Sequence, residues 1–259
     1  MATAKAAALS PELVKAGFVS TLPKTRRRLI LATDGHEKTG KTRFALTAPG
    51  PIVFINFDYG LEGPLLEEFG HKIAAIKSFG AQSESFNLPT QKESQEVWDD
   101  VCNAYLQAMK SGMRTVVVDT YSDAYNWARL AYFGKFSQVM PNHYMDLNDI
   151  TKRMIMQAHK YDSNVIFIHR QKEDWKDNKP TGVFKREGSK HMGYAVHCNV
   201  THTRKLVGDS GGKVNKWGLT ITDARQNMDL AGVELEDEQV SFPYLAEMVF
   251  PKTTEKDWQ

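Results

Sequence analysis

The chain has 259 residues, 41% of them hydrophobic and 25% charged, enough to bury one sizeable core and close to an ordinary globular composition. This excludes a disordered, collagenous or low-complexity chain, and 33 basic against 31 acidic residues (net +2) exclude a global basic field that draws in nucleic acid or anionic membranes. Cys102 and Cys198 make no disulfide framework and lack zinc-site spacing, and no apolar run approaches the roughly 18 to 20 residues of a membrane span.

A soluble protein of a reducing, cytoplasmic compartment with no membrane partner is therefore expected. Residues 1–27 form an N-terminal arm. They lack the apolar region of a secretory signal, and Glu12 counts against a mitochondrial presequence. Within the arm, Ser10 as N-cap and Pro11 at the first helical position predict a short helix, a segment suited to docking on a neighbouring subunit. From residue 28 short β-rich runs alternate with longer helical patterns, the signature of a parallel sheet covered by helices. Residues 28–33 (RLILAT) are the first strand, and after a glycine-containing loop a helix starts near Lys41. Residues 52–57 (IVFINF) and 72–79 are further strands. Thr90 and Glu93 form a capping box that opens a helix with Val97, Val101, Tyr105 and Met109 on one face, ended near Gly112. Residues 115–119 (TVVVD) and 164–168 (NVIFI) are strands buried on both faces, with helices from Ser122 and through Leu147, Ile150, Met154 and Ala158. Residues 171–194 read as a polar loop. Residues 196–206 and 217–222 read as two strands of an antiparallel hairpin turning at Gly208-Asp209-Ser210-Gly211-Gly212. One α/β domain over residues 28–250 is expected, followed by a tail at 251–259.

The sharpest motif is Gly35-His36-Glu37-Lys38-Thr39-Gly40-Lys41-Thr42, a complete GxxxxGK[ST] placed after a strand and before a helix. Its backbone amides would cradle a β-phosphate, Lys41 would reach the β- and γ-phosphates, and Thr42 would ligate Mg²⁺. Asp119, at the end of an apolar strand, is the matching Walker B acid, so ATP and Mg²⁺ are the expected cofactors. Thr120 follows it where AAA-type motors place a catalytic glutamate. The carboxylate that activates water must then come from elsewhere: Asp58, at the end of the second strand, or else Glu62.

Between His169 and Lys190 seven basic residues (Arg170, Lys172, Lys176, Lys179, Lys185, Arg186, Lys190) face four acidic ones, interleaved with Trp175 and Phe184. Cations with aromatic platforms suit single-stranded nucleic acid, although any solvated loop is rich in lysine.

Together, GHEKTGKT, the strand ending NFDYGLEG, TVVVDT and NVIFIHRQK resemble the RecA-type P-loop ATPases, above all the compact phage-encoded ATPases of single-strand annealing and recombination. The resemblance covers roughly residues 28–225 and implies a RecA-like α/β fold with a mostly parallel sheet and DNA-stimulated ATP hydrolysis. It implies assembly into a ring or filament, single-stranded DNA as partner, a single-stranded-DNA-binding protein as a further one, and the cytoplasm of an infected bacterial host. By position it makes the basic segment the second DNA-binding loop and residues 132–144 a first. It makes His169 a sensor of the γ-phosphate, and Arg204, Lys205 and Arg225 candidates for a cation inserted into a neighbouring subunit's site. The family commonly carries a glutamate where this chain has Asp58. Open alternatives are a P-loop motor or loader, a nucleotide-gated oligomeric binding module with little turnover, and a small-molecule kinase.

Overall fold

The computed structural model describes residues 10–18, 27–80, 88–135, 140, 143–209 and 212–258. Most of the N-terminal arm and the centre of the 132–144 segment lie outside these residues. An eight-stranded sheet organises the molecule. Its strands are β1 (Ile30–Gly35), β2 (Ile52–Asn56), β3 (Ile73–Ser78), β4 (Thr115–Asp119), β5 (Asn164–Ile168), β8 (Cys198–Asp209), β9 (Gly212–Ala224) and β10 (Glu234–Glu236). The order is β10-β9-β8-β1-β5-β4-β2-β3, parallel from β8 through β3, while β9 and β10 run antiparallel at the other edge. This is the mostly parallel sheet with an antiparallel hairpin that the sequence predicts.

Alternation within the central strands explains why their sequences are continuously apolar. Val116, Val118, Val165 and Phe167 face one core, while Val117, Ile166 and Ile168 face the other. The first core is closed by α4 (Gln91–Lys110), α5 (Tyr121–Phe133), α6 (Tyr144–Gln157) and α7 (Met192–Ala195). The second is closed by α2 (Lys41–Leu46), α3 (Pro64–Phe69) and α8 (Phe242–Val249). The expected capping box of α4 is present: Glu93 N donates to Thr90 Oγ1 at 3.2 Å, and Thr90 N donates to Glu93 Oε2 at 2.6 Å. Losing such a cap costs about 1 kcal/mol. Ser10 caps α1 (Pro11–Lys15) as anticipated, and none of that helix is buried.

Two expectations are corrected. Residues 171–194 are not a loop throughout: β6 (Gln171–Lys176) and β7 (Lys179–Arg186) form a separate antiparallel hairpin. Asp177 and Asn178, at φ 51° and 59°, make its two-residue turn, the arrangement that matches strand twist. The hairpin escaped the sequence reading because most of its residues face solvent, so no period-two apolar pattern is written into it. Nor do residues 251–258 hang free. Trp258 is 1% exposed, packed near Phe242 and Phe250, and Arg114 donates to the Trp258, Asp257 and Arg27 carbonyls. The C-terminal segment is part of the second core.

Candidate nucleotide site

The parallel register brings the C-terminal ends of β1, β5, β4 and β2 to one edge, and the turn from β1 into α2 lies in the middle of it. Gly35 has φ 150°, and a Cβ there would fall 2.6 Å from the His202 carbonyl oxygen. Only glycine fits, because β8 runs directly behind the loop. Thr39 Oγ1 donates to the His36 carbonyl at 2.9 Å, and Lys41 Nζ donates to the Gly35 and His36 carbonyls at 2.9 and 2.6 Å. The lysine is thereby held across the loop it serves. Partial burial lowers its pKa, opposed by Asp119, Asp34 and Asp58.

Thr42 Oγ1 donates to Asp119 Oδ2 at 2.7 Å. Asp119 is 1% exposed, and its other oxygen, Oδ1, has no partner among the described residues. Burial, and then the nearby Asp58 carboxylate, push the Asp119 pKa up, which the Thr42 hydrogen bond and Lys41 only partly offset. A buried carboxylate with a free oxygen beside a hydroxyl is a donor set that fits a hard divalent cation.

The cleft around this pair has a volume of about 730 Å³, within the range of small-molecule sites. Glu37, Lys38, Gly40, Asp58, Arg170, Arg204 and Trp217 are among the residues that line it. Asp58 Oδ1 accepts from Gly60 N at 2.9 Å, which fixes the carboxylate at the cleft edge, whereas Glu62 is exposed and outside the lining.

His169 is fully buried, with its ring centroid 5.1 Å from that of Tyr121 and Nδ1 2.9 Å from the Glu187 carbonyl oxygen. Burial, then Arg186, lower its pKa to about 3. It does not line the cleft, whereas the next residue, Arg170, does and pairs with Asp123 at 2.7 Å.

The cations expected on DNA divide in the same way. Arg186 is a structural residue: its Nε donates to Asp34 Oδ2 at 2.8 Å and its Nη1 to Asn199 Oδ1 at 2.7 Å. Lys185 pairs with Asp174 at 2.5 Å. Lys172, Lys176, Lys179 and Lys190 are exposed and in no ion pair among the described residues, and Trp175 and Phe184 are 62% and 45% exposed.

Of the three cations considered for a neighbouring site, Arg204 lines this chain's own cleft. Lys205, the next residue, borders a recess on the other face of the hairpin. Arg225 lies toward the N-terminal end of β1, where its backbone N–H donates to the His197 carbonyl and its guanidinium to the Tyr194 carbonyl.

Sequence reasoning missed Asp34, Trp217 and His202. Asp34, the residue before the P-loop, is 5% exposed and accepts from Gln171 Nε2 (2.8 Å), Thr201 Oγ1 (2.9 Å) and Arg186 Nε (2.8 Å). Gln171 and Arg186 face each other at the base of the β6–β7 hairpin, so that hairpin is tied to the strand carrying the P-loop. Higher up, Phe184 meets the His36 ring edge-on at 4.4 Å. His202 is buried behind Gly35 with both ring nitrogens unpartnered among the described residues, and burial, then Lys41, lower its pKa to about 3.

A protein-family model described as an AAA domain matches residues 27–216, most of the chain. The chain belongs to the AAA-domain family. It is therefore a nucleotide-binding P-loop ATPase, and the matched span contains the P-loop, Asp58, Asp119, Arg170 and Arg204. No curated protein matches the sequence. Within this AAA domain no helix among the described residues is long and apolar enough to cross a membrane.

Proposed function

We propose that this AAA domain couples Mg²⁺-dependent ATP hydrolysis to binding of single-stranded DNA, in recombination or annealing of the phage type. The observation that carries the reading is the β6–β7 hairpin. It presents Trp175, Phe184 and three lysines in no ion pair among the described residues (Lys172, Lys176 and Lys179) to solvent while its base is fixed to Asp34, next to the phosphate loop. Aromatic faces stack on bases and lysines neutralise phosphates, neither of which needs a sequence code. Beside the hairpin base lies a concavity of about 430 Å³ lined by Arg129, Lys172 and Lys190 with Tyr125 and Tyr144, against Glu187 as the one acid among the described lining residues. The same chemistry thus continues from the hairpin onto α5 and α6.

At the nucleotide, Thr42 and Asp119 would hold Mg²⁺, which would supply positive charge to the phosphate oxygens. Lys41 neutralises the β- and γ-phosphates, and Asp58 orients and polarises the attacking water from the edge of the cleft. Arg170, which follows the strand between β1 and β4 and lines the cleft, would meet the terminal phosphate, with its Asp123 partner holding it in place. Family membership also supports a second reading, a motor or loader, which directional translocation on DNA would reveal.

Fluorescence anisotropy with labelled oligo-dT tests the DNA assignment. Trp175→Ala is expected to weaken binding about 5- to 100-fold, the value of one stacked base, and Lys176→Ala with Lys179→Ala to flatten the salt dependence. Wild-type protein that ignores single strands at low salt, or a Trp175→Ala variant with unchanged affinity, refutes it.

A further inference from the structure

The cleft has two chemically different ends, and the sheet order fixes which is which. Asp119 ends β4 and Asp58 lies two residues beyond β2, both on one side of the P-loop strand. Arg204 and Trp217 stand on β8 and β9, on the other side. They are register partners in the antiparallel ladder, so their side chains leave the same face of the hairpin, and both line the cleft. The six-membered ring of Trp217 lies over Gly40, where a Cβ would approach Cε3 and Cζ3 to 3.2 and 3.4 Å. Trp217 N donates to Asp237 Oδ1 at 3.2 Å, which fixes the strand that carries the ring.

A nucleoside triphosphate bound with its terminal phosphate at the Thr42–Asp119 pair must extend its base away from the acids. That direction leads toward β8 and β9. Among the described lining residues Trp217 is the only aromatic ring, and the one fully aliphatic side chain, Leu65, belongs to α3, which follows the Asp58 loop. A flat heteroaromatic base therefore has one flat apolar surface to meet.

We propose that Trp217 is the stacking platform for the nucleobase and that Arg204, beside it, places its charge on the α-phosphate and ribose side, within the same chain. This rests on the cleft being the nucleotide site. It gives the β8–β9 hairpin a recognition role and makes the site tolerant of any purine, since stacking reads a ring face and not a hydrogen-bonding edge.

The test compares equilibrium binding of ATP, UTP and inorganic tripolyphosphate in the presence of Mg²⁺. Trp217→Ala is expected to weaken ATP about 5- to 100-fold and leave tripolyphosphate unchanged, while Trp217→Phe keeps most of the ATP affinity. Equal loss for both ligands, or no loss for ATP, overturns the proposal. The wild-type protein supplies a test that depends on no variant folding: it should bind ATP more tightly than UTP and UTP more tightly than tripolyphosphate, and equal affinities for ATP and tripolyphosphate overturn the platform. Lys41→Ala separates the two levels, because it should weaken all three ligands together. If wild type binds none of them, the nucleotide site itself fails and not only its base-side wall.

Discussion

Replacing Asp34 with alanine removes the acceptor of three hydrogen bonds at once, from Gln171, Thr201 and Arg186, at a position 5% exposed. The Arg186 side chain is 18% exposed and, among the described residues, keeps its bond to Asn199 Oδ1. Removing one partner of a buried ion pair typically costs about 3 to 5 kcal/mol, because the other charge is left without compensation. Two further bonds to an ionised acceptor are lost, but the three share one carboxylate and are not additive, so about 4 kcal/mol is the expected total. At a urea slope of about 3 kcal/mol/M the midpoint should fall by roughly 1 to 1.5 M with the slope unchanged. Far-ultraviolet circular dichroism during urea unfolding reads this directly. Asp34→Asn should cost less, since an amide oxygen still accepts, and the double variant Asp34→Asn with Arg186→Gln should recover part of the loss of either single change. An Asp34→Ala protein within about 0.5 kcal/mol of wild type refutes the idea that this carboxylate anchors the hairpin to the P-loop strand.

Asp119→Asn should abolish hydrolysis yet stabilise the metal-free protein by about 1 to 3 kcal/mol near pH 7.5, because it removes a buried charge whose pKa is raised by burial and by Asp58. The sign follows from proton counts: between the unfolded and the raised folded pKa the folded state holds the extra proton, so wild-type stability falls as pH rises and the variant's does not. Thermal melts without Mg²⁺ at pH 5 and 7.5 decide it, and a less stable variant at pH 7.5 contradicts the argument. His202 works in the opposite direction. Its folded pKa, lowered to about 3, lies below the unfolded value, so its contribution is present above about pH 6.5 and is lost progressively as pH falls toward 3. His202→Leu should therefore lose about 2 kcal/mol less than wild type between pH 7 and pH 5, and parallel pH curves for the two proteins would contradict the assignment.

The legible parts of this molecule are those in which burial acts on neighbouring residues. TVVVD and NVIFI are covered on both faces, so every position is apolar and the strands declare themselves. The P-loop is equally plain, because its backbone geometry admits few sequences: the 2.6 Å approach of His202 O to a Cβ at Gly35 makes that glycine obligatory. What was hidden depends on distant partners or on solvent. Asp34 and Arg186 are 152 residues apart, and no local pattern marks one as the other's counter-ion. Trp217 looked like an ordinary strand residue until the β8–β9 register set it opposite Arg204 and over Gly40. From the sequence Arg204 is one of three candidates for a neighbouring subunit's site, and that it lines its own chain's cleft becomes visible only after β8 is placed beside β1. The last nine residues read as a tail, yet their Trp258 is held by contacts to α8 and its C-terminal flank.

Coupling of the Walker-type ATPase site to single-stranded DNA is read out by steady-state ATP hydrolysis with Mg²⁺, measured with and without an oligonucleotide and beside Lys41→Ala. Turnover that rises several-fold with single strands, responds little to duplex and vanishes in Lys41→Ala is the predicted result. Hydrolysis that survives Lys41→Ala, or wild-type turnover that single-stranded DNA leaves unchanged, would contradict it.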